Sequence, residues 1–274
     1  MAILNIRVAD IMKREYPVVD KDETLEHAIR VMKRYDSDRV LAVEGGKLIG
    51  IMTKKDIMLK LATLRTKSVS PGRMHVSSFM SWSPKTVSPD TRVVDVASMM
   101  INDNIGSYPV VRGDEILGLI TRVEIAELAK EIGYVKAVDV MVSIPEALYP
   151  TNKLLHARQI ALRYNLLFIP VVDEVGRLAG YITVDDIADA FLAFYDIVPE
   201  KFRKEKIDHL VVDDIIRLRP PVVSPEDTLD TVVEEVLSRR SKGAAVVHGE
   251  KPIGIISLVE LVKAVASSRE QQTR

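Results

Sequence analysis

Four times along the chain a glycine is followed three residues later by a hydroxyl, and the hydroxyl three residues later by a carboxylate. The copies are Gly50-Ile51-Met52-Thr53-Lys54-Lys55-Asp56, Gly118-Leu119-Ile120-Thr121-Arg122-Val123-Glu124, Gly180-Tyr181-Ile182-Thr183-Val184-Asp185-Asp186 and Gly254-Ile255-Ile256-Ser257-Leu258-Val259-Glu260. A hydroxyl both donates and accepts, while an ionised carboxylate only accepts. At a helix start this spacing has two uses. It is a capping box, in which the hydroxyl receives a backbone N–H one turn in and the carboxylate reaches back to the cap N–H. It also places both groups beside unpaired N–H groups and the positive end of the helix dipole, which favour an anion. In that second use the hydroxyl meets a phosphate and the carboxylate accepts from a vicinal diol, such as that of a ribose. A cap has no need of the glycine, whereas a missing Cβ admits a ligand or another backbone at close range.

Other chemistry is thinly represented. The chain has no cysteine, which excludes disulfides, thiolate metal sites and cysteine nucleophiles. The histidines at 27, 75, 156, 209 and 248 form no metal-binding spacing, and no nucleophile elbow, Walker loop or Rossmann glycine triplet occurs. No catalytic or metal-ligating residue is therefore assigned, and the reading is of a non-enzyme. The 38 basic and 39 acidic residues leave a net charge of −1, unlike the basic footprint of a nucleic-acid binder. No apolar run approaches the ~18 residues of a membrane span, and no leader pattern opens the chain, so a cytoplasmic location is expected.

The elements that must position these groups repeat as well. Upstream of each copy lies a β-branched run, at 40–43, 108–111, 168–172 and 245–247, joined to the glycine strand by a polar turn. Strand, turn, strand reads as a hairpin. Before it comes an amphipathic helix, with Leu25, Ala28, Ile29 and Met32 at i, i+3, i+4 and i+7 in the first copy. Ser88-Pro89-Asp90 and Ser224-Pro225-Glu226-Asp227 read as helix starts, a capping serine before a proline. Each unit opens with a short apolar element, near Ile11-Met12, Phe79-Met80, Val140-Met141 and Ile215-Ile216, so a unit reads strand–helix–strand–strand–helix. The polar stretch 66–73 joins units one and two, a tight connection at 131–136 joins two and three, and the charged stretch 194–210 is expected to be a solvated connector. The tail 267–274 is polar and expected to fray. Trp82 is expected to pack in the core or an interface, and Met99 and Met100 to fill core gaps.

The fourfold signature with its hairpin resembles the CBS domain family, over about residues 5 to 266. The resemblance implies an α/β (α+β) fold of four β-α-β-β-α motifs, at 5–66, 74–132, 135–196 and 208–266. Motifs one and two, and three and four, would pair into pseudo-twofold Bateman modules, and these into a disc. Four motifs in one chain resemble the regulatory γ subunit of AMP-activated protein kinase and stand-alone archaeal four-CBS proteins.

The resemblance also implies a site in each motif, the carboxylate on a ribose, the hydroxyl on phosphate or sugar, and adenine in a slot supplied largely by the partner motif. Thr53 and Asp56 would work with Gly106, Ser107, Tyr108, Phe79 and Met80; Thr121 and Glu124 with Arg39, Val40, Ile11 and Met12. Thr183 and Asp186 would share a cleft with Gly243 and Ala244, and Ser257 and Glu260 would face Phe168, Ile169 and Pro170. Glu replaces the commoner Asp in two copies and Ser replaces Thr in one, which ranks the Asp56 and Asp186 sites above the other two. Lys54, Lys55, Arg122 and Arg39 match phosphate charge to the first module, where Val184 and Leu258 stand in the second. The first module is accordingly expected to hold AMP, ADP or ATP as bound ligand, and the second a weaker nucleotide or none. S-adenosylmethionine or a related adenosyl ligand is the alternative, suited to the less basic second module; a nucleic-acid accessory role and an empty structural scaffold are two others. A regulated protein is implied as partner, a second chain could add an interface, and no membrane partner is expected.

Overall fold

The computed structural model describes residues 3–61, 63 and 71–268. Within these residues the chain folds as four copies of one unit. Each has a long amphipathic helix, at Leu25–Arg34, Val93–Asn102, Leu154–Arg163 and Leu229–Ser238. A hairpin follows: Arg39–Glu44 with Lys47–Thr53, Ser107–Arg112 with Glu115–Thr121, Phe168–Val172 with Leu178–Thr183, and Gly243–His248 with Lys251–Ser257. A closing helix starts immediately after the hydroxyl, at Lys54–Lys60, Arg122–Glu127, Val184–Ile197 and Leu258–Ser267. Glycine at the hairpin turns adopts positive φ, for example +61° at Gly113 and +79° at Gly176, where other residues are strained. Apolar residues of the hairpins and long helices form one continuous core.

The expected first strand is reduced. It is three residues, Val18–Asp20, in the first unit and two, Val222–Val223, in the fourth. In the second and third it is an isolated parallel bridge, Val87 to Val110 and Leu148 to Val171. The opening elements are single helical turns, Val8–Ile11, Val76–Phe79, Ala137–Val140 and the 3-10 turn Val212–Asp214.

Those openers cross over. The backbone after each pairs with the glycine strand of the partner unit: Lys13 with Leu119, Ser81 with Ile51, Val142 with Ile255 and Arg217 with Tyr181. The glycines make this approach feasible. A Cβ on Gly50 would sit 2.3 Å from the Met80 sulfur, on Gly118 2.6 Å from the Lys13 carbonyl, on Gly180 2.7 Å from that of Arg217, and on Gly254 2.7 Å from the Met141 sulfur. The conserved spacing of glycine and hydroxyl therefore reserves room for another chain segment. This reciprocal exchange joins unit one to two and three to four.

The same exchange corrects the expected helix starts. The second and fourth long helices begin at Val93 and Leu229, not after Ser88 and Ser224. Their first N–H groups donate to backbone carbonyls of the partner opener, Val93 to Ile6 and Leu229 to Val135, as Leu25 does to Met74 and Leu154 to Leu210. A side-chain cap is then superfluous at those ends. The two serines stabilise preceding turns, Ser88 Oγ accepting from Asp90 N at 3.2 Å and Ser224 N donating to Asp227 at 2.7 Å.

The 194–210 connector is only partly solvated. The third closing helix runs on to Ile197 and buries Phe194 and Tyr195. Buried Arg203 donates to the carbonyls of Tyr195 and Val198, at 2.8 and 2.9 Å, and lies over the Tyr195 ring. Most of Glu200–Lys206 is exposed. Trp82 is 57% exposed and so packs in no core, whereas Met100 is fully buried. Most of the 66–73 connector and residues 269–274 of the tail lie outside the described residues.

The modules meet through their helices. Lys54–Lys60 packs against Val184–Ile197, and Leu258–Ser267 against Arg122–Glu127 and Val93–Asn102. Polar pairs cross at the centre: Lys54 to Asp189 at 2.7 Å, Lys55 to Asn165 at 2.6 Å, and Lys242 to Asp38 at 2.6 Å.

Candidate functional site

All four hydroxyl–carboxylate pairs form capping boxes. One carboxylate oxygen does this work. Asp56 Oδ2 accepts from Thr53 N at 2.8 Å and from Thr53 Oγ1 at 2.7 Å. Thr183–Asp186, Thr121–Glu124 and Ser257–Glu260 repeat the arrangement. The hydroxyl in turn accepts a helix N–H, that of the acid itself in the two Asp copies and that of the residue before it in the two Glu copies. The first helical N–H donates to a carbonyl of the neighbouring strand approach, Lys54 to Asp38 and Arg122 to Gly106 among them. The helix N-termini are therefore largely self-satisfied, and the hydroxyl proton expected to meet a phosphate points at the carboxylate instead. Capping and ligand binding are not exclusive, because the second carboxylate oxygen takes no part in the box.

The second oxygen differs among copies. Among the described residues Asp56 Oδ1 has no hydrogen-bond or ion-pair partner. Glu124 Oε1 lies 3.2 Å from Lys13 Nζ, and Glu260 Oε1 3.5 Å from Lys263 Nζ. Asp186 Oδ1 receives Arg217 Nε at 2.8 Å and Nη2 at 2.5 Å.

A cavity of about 810 Å³ opens at Asp56. Thr53, Gly106, Ser107, Ser81, Pro84 and Lys13 are among the residues that line it. It continues past Arg39, Thr121, Arg122, Lys54 and Lys55 to Asp185, Arg240 and Lys242 of the second module. A smaller cavity, about 240 Å³, lies at Ser257 and Glu260, lined by Val142, Ser143, Tyr164, Asn165 and Leu166. Glu124, Thr183 and Asp186 line neither of these two cavities.

The cations of the large cavity fall into two groups. Arg39 is neutralised: its Nε and Nη2 bind the two oxygens of Asp38, at 2.6 and 3.0 Å, while Nη1 donates to the Gly106 carbonyl at 3.1 Å. Burial alone would raise the Asp38 carboxyl, but Arg39 and Lys242 outweigh it and hold it well below the usual carboxylate range. Asp185, also bonded to Lys242 at 2.8 Å, is pushed up by burial and then by the neighbouring Asp38 charge. Arg122 and Lys55 lack such matching. Burial and then the Arg39 guanidinium push Arg122 down to about 10, and burial and then Arg122 push Lys55 down. Arg122 is 8% exposed and its Nε is buried without a hydrogen-bond partner. An unsatisfied buried donor costs roughly 1–3 kcal/mol, so the Arg122 guanidinium is held under a standing penalty beside the cavity.

Several residues assigned from the sequence lie behind the cleft walls. Val40, Phe79, Met80, Tyr108 and Met12 are buried in the core, with Ile11 packed against it. The Tyr108 hydroxyl donates to Asp103 at 2.8 Å. Phe168 and Ile169 are fully buried, Pro170 is buried beside them, and the Phe168 ring stacks on Tyr181 at 5.0 Å. Gly243 and Ala244 are buried, and a Cβ on Gly243 would lie 2.7 Å from that of Phe168. Sequence reasoning missed Asp38, Lys242, Ser81 and Arg217. The available signal was positional: Asp38 and Lys242 each immediately precede a hairpin, and Ser81 and Arg217 each follow an opener's apolar residue.

Comparison with known proteins agrees with this architecture. The family model for the CBS domain matches residues 8–63, 76–131, 135–193 and 212–267. Inosine-5'-monophosphate dehydrogenase of Aquifex aeolicus is 27% identical over 200 residues, 70% of this chain and 36% of the enzyme. That of Korarchaeum cryptofilum is 32% identical over 110 residues, 40% of this chain and 23% of the enzyme. The chain thus spans about a quarter to a third of the length of these relatives. Among solved structures, protein MJ1225 of Methanocaldococcus jannaschii, described as a proposed archaeal homolog of g-AMPK, superposes with a TM-score of 0.81 at 19% identity, covering 94% of this chain and 99% of that one.

Proposed function

The chain belongs to the CBS domain family, and from that premise we propose that it is a non-catalytic regulatory protein that senses an adenine nucleotide in the Asp56 cleft. One observation carries the proposal. A carboxylate oxygen without a partner and a buried guanidinium nitrogen without a partner, Asp56 Oδ1 and Arg122 Nε, belong to residues lining the same cavity. The first suits a ribose diol, the second a phosphate. The cavity's size, about 810 Å³, is in the range of small-molecule sites. AMP, ADP or ATP would place its phosphate toward Arg122, Lys55 and Lys242, beside the ion pairs that tie the two modules together. Binding then biases one arrangement of the modules, provided the ligand has higher affinity for it, and a partner protein reads the change.

A second reading applies to the Glu260 cleft. It is smaller, and Lys263 is the cation on its lining. An adenosyl ligand without phosphate, such as S-adenosylmethionine, suits it better than a nucleotide. Near-neutral net charge speaks against nucleic acid as the ligand.

Calorimetric titration with AMP, ADP, ATP and S-adenosylmethionine tests both readings. Expected is a nucleotide site weakened roughly ten- to a hundredfold in Asp56→Ala. Absence of heat and of any rise in melting temperature with all four ligands at millimolar concentration contradicts the proposal.

A further inference from the structure

The four openers occupy equivalent registers, and one position in each differs in a way that matters to the cleft. Lys13, Ser81, Val142 and Arg217 each pair with the residue after the partner's glycine, Leu119, Ile51, Ile255 and Tyr181. Each directly follows the apolar residue packed on that glycine. At this position two units carry a cation and two do not. The cations meet the carboxylate of the cleft they border, Lys13 at Glu124 and Arg217 at Asp186. Ser81 and Val142 carry no charge and line the cavities at Asp56 and Glu260, and of the two cationic openers Lys13 also lines the large cavity whereas Arg217 lines neither.

Resting on the reading above, we propose that this opener position determines which clefts take ligand. Arg217 occupies the second oxygen of Asp186 and closes that cleft, while Lys13 occupies that of Glu124 from a position on the lining of the large cavity. Ser81 leaves the second Asp56 oxygen free, and Val142 leaves that of Glu260 to the longer Lys263 contact. Arg217 is the firmer plug, since two of its nitrogens reach one oxygen of a carboxylate that is 10% exposed, and its guanidinium also lies 5.9 Å over the Tyr181 ring. Lys13 makes a single 3.2 Å contact from a side chain 53% exposed, so its closure is weaker. The usable clefts are thus set by the opener and not by the choice of Asp or Glu, which revises the order drawn from the sequence.

Equilibrium dialysis with labelled AMP and labelled S-adenosylmethionine, on the full chain and folded variants, tests this. Arg217→Ser should gain one binding equivalent, and adding Asp186→Ala should remove it. Ser81→Arg, or Ser81→Lys if the first misfolds, should weaken the Asp56-dependent equivalent at least tenfold. Asp186→Ala alone should leave binding unchanged. The inference is overturned if Arg217→Ser leaves the stoichiometry unaltered, or if it or Asp186→Ala removes an equivalent present in the parent chain. Loss of binding in no variant because none binds either probe overturns the ligand reading itself, a pattern distinct from binding that ignores residues 81 and 217.

Discussion

The first and third motifs carry the same Gly-x-x-Thr-x-x-Asp, yet their clefts are in opposite states. Around Asp56 the cap is complete, one carboxylate oxygen is open, and Arg122 and Lys55 border the cavity with incomplete charge matching. Around Asp186 the cap is equally complete, but Arg217 covers the second oxygen, and Val184 stands where Lys54 stands in the first motif. The residue before the hairpin differs too, Asp38 in one and Leu167 in the other. A signature can thus be conserved for its capping role while its binding role is decided by residues outside it.

The largest effect expected from perturbing this contrast is at Asp38. Asp38→Asn leaves Arg39 without its anion and Lys242 with Asp185 alone, and denaturant unfolding should show a loss of about 3 kcal/mol. Removing Leu167 in the other motif should instead show an ordinary cavity cost. The same pairing gives a pH dependence. Asp38 is depressed in the folded state, so its stabilisation is full above the unfolded carboxylate pKa and is lost as pH falls through the lower folded value. An acid-unfolding profile should lose that component in Asp38→Asn.

Next in size is the paired comparison of the two aspartates. Asp56→Ala should weaken nucleotide binding by roughly ten- to a hundredfold, the worth of a hydrogen bond to a charged group. Asp186→Ala should leave it unchanged, and each should cost about 1 kcal/mol of stability as a lost cap. Equal effects of both on titration would break the contrast. Arg122→Met should separate phosphate from sugar: affinity for AMP falls about tenfold while that for adenosine holds, and the ligand-free protein is no less stable. The smallest effect is at Ser88 and Ser224, where alanine should change stability by less than about 0.5 kcal/mol, because the helices they precede are capped by partner backbone.

Much of this was legible in the chain. The hydroxyl–carboxylate spacing located all four closing helices to the residue, since Thr or Ser is the cap in each. The glycine at −3 signalled close approach but not of what, because the approaching Met80, Met12, Met141 and Ile216 lie 30 to 113 residues away. The serine–proline turns misled for the same reason: local cap chemistry competes with a non-local carbonyl that satisfies the helix end. Arg217 and Ser81 each follow an opener's apolar residue, but their effect on a cleft depends on a register between units, which that local position does not encode. Val40, Tyr108 and Phe168 were assigned to the clefts by resemblance, whereas they lie buried in the core within runs of consecutively buried strand residues, where alternation gives no signal of which face a side chain takes.

A crystal structure of the protein grown with a saturating adenine nucleotide tests the central claim most directly. The expected result is one nucleotide with its ribose hydroxyls on Asp56 Oδ1 and its phosphate against Arg122, with the Arg217–Asp186 pair undisturbed. A nucleotide seated on Asp186 with Arg217 displaced, and the Asp56 cavity holding only water, would contradict it.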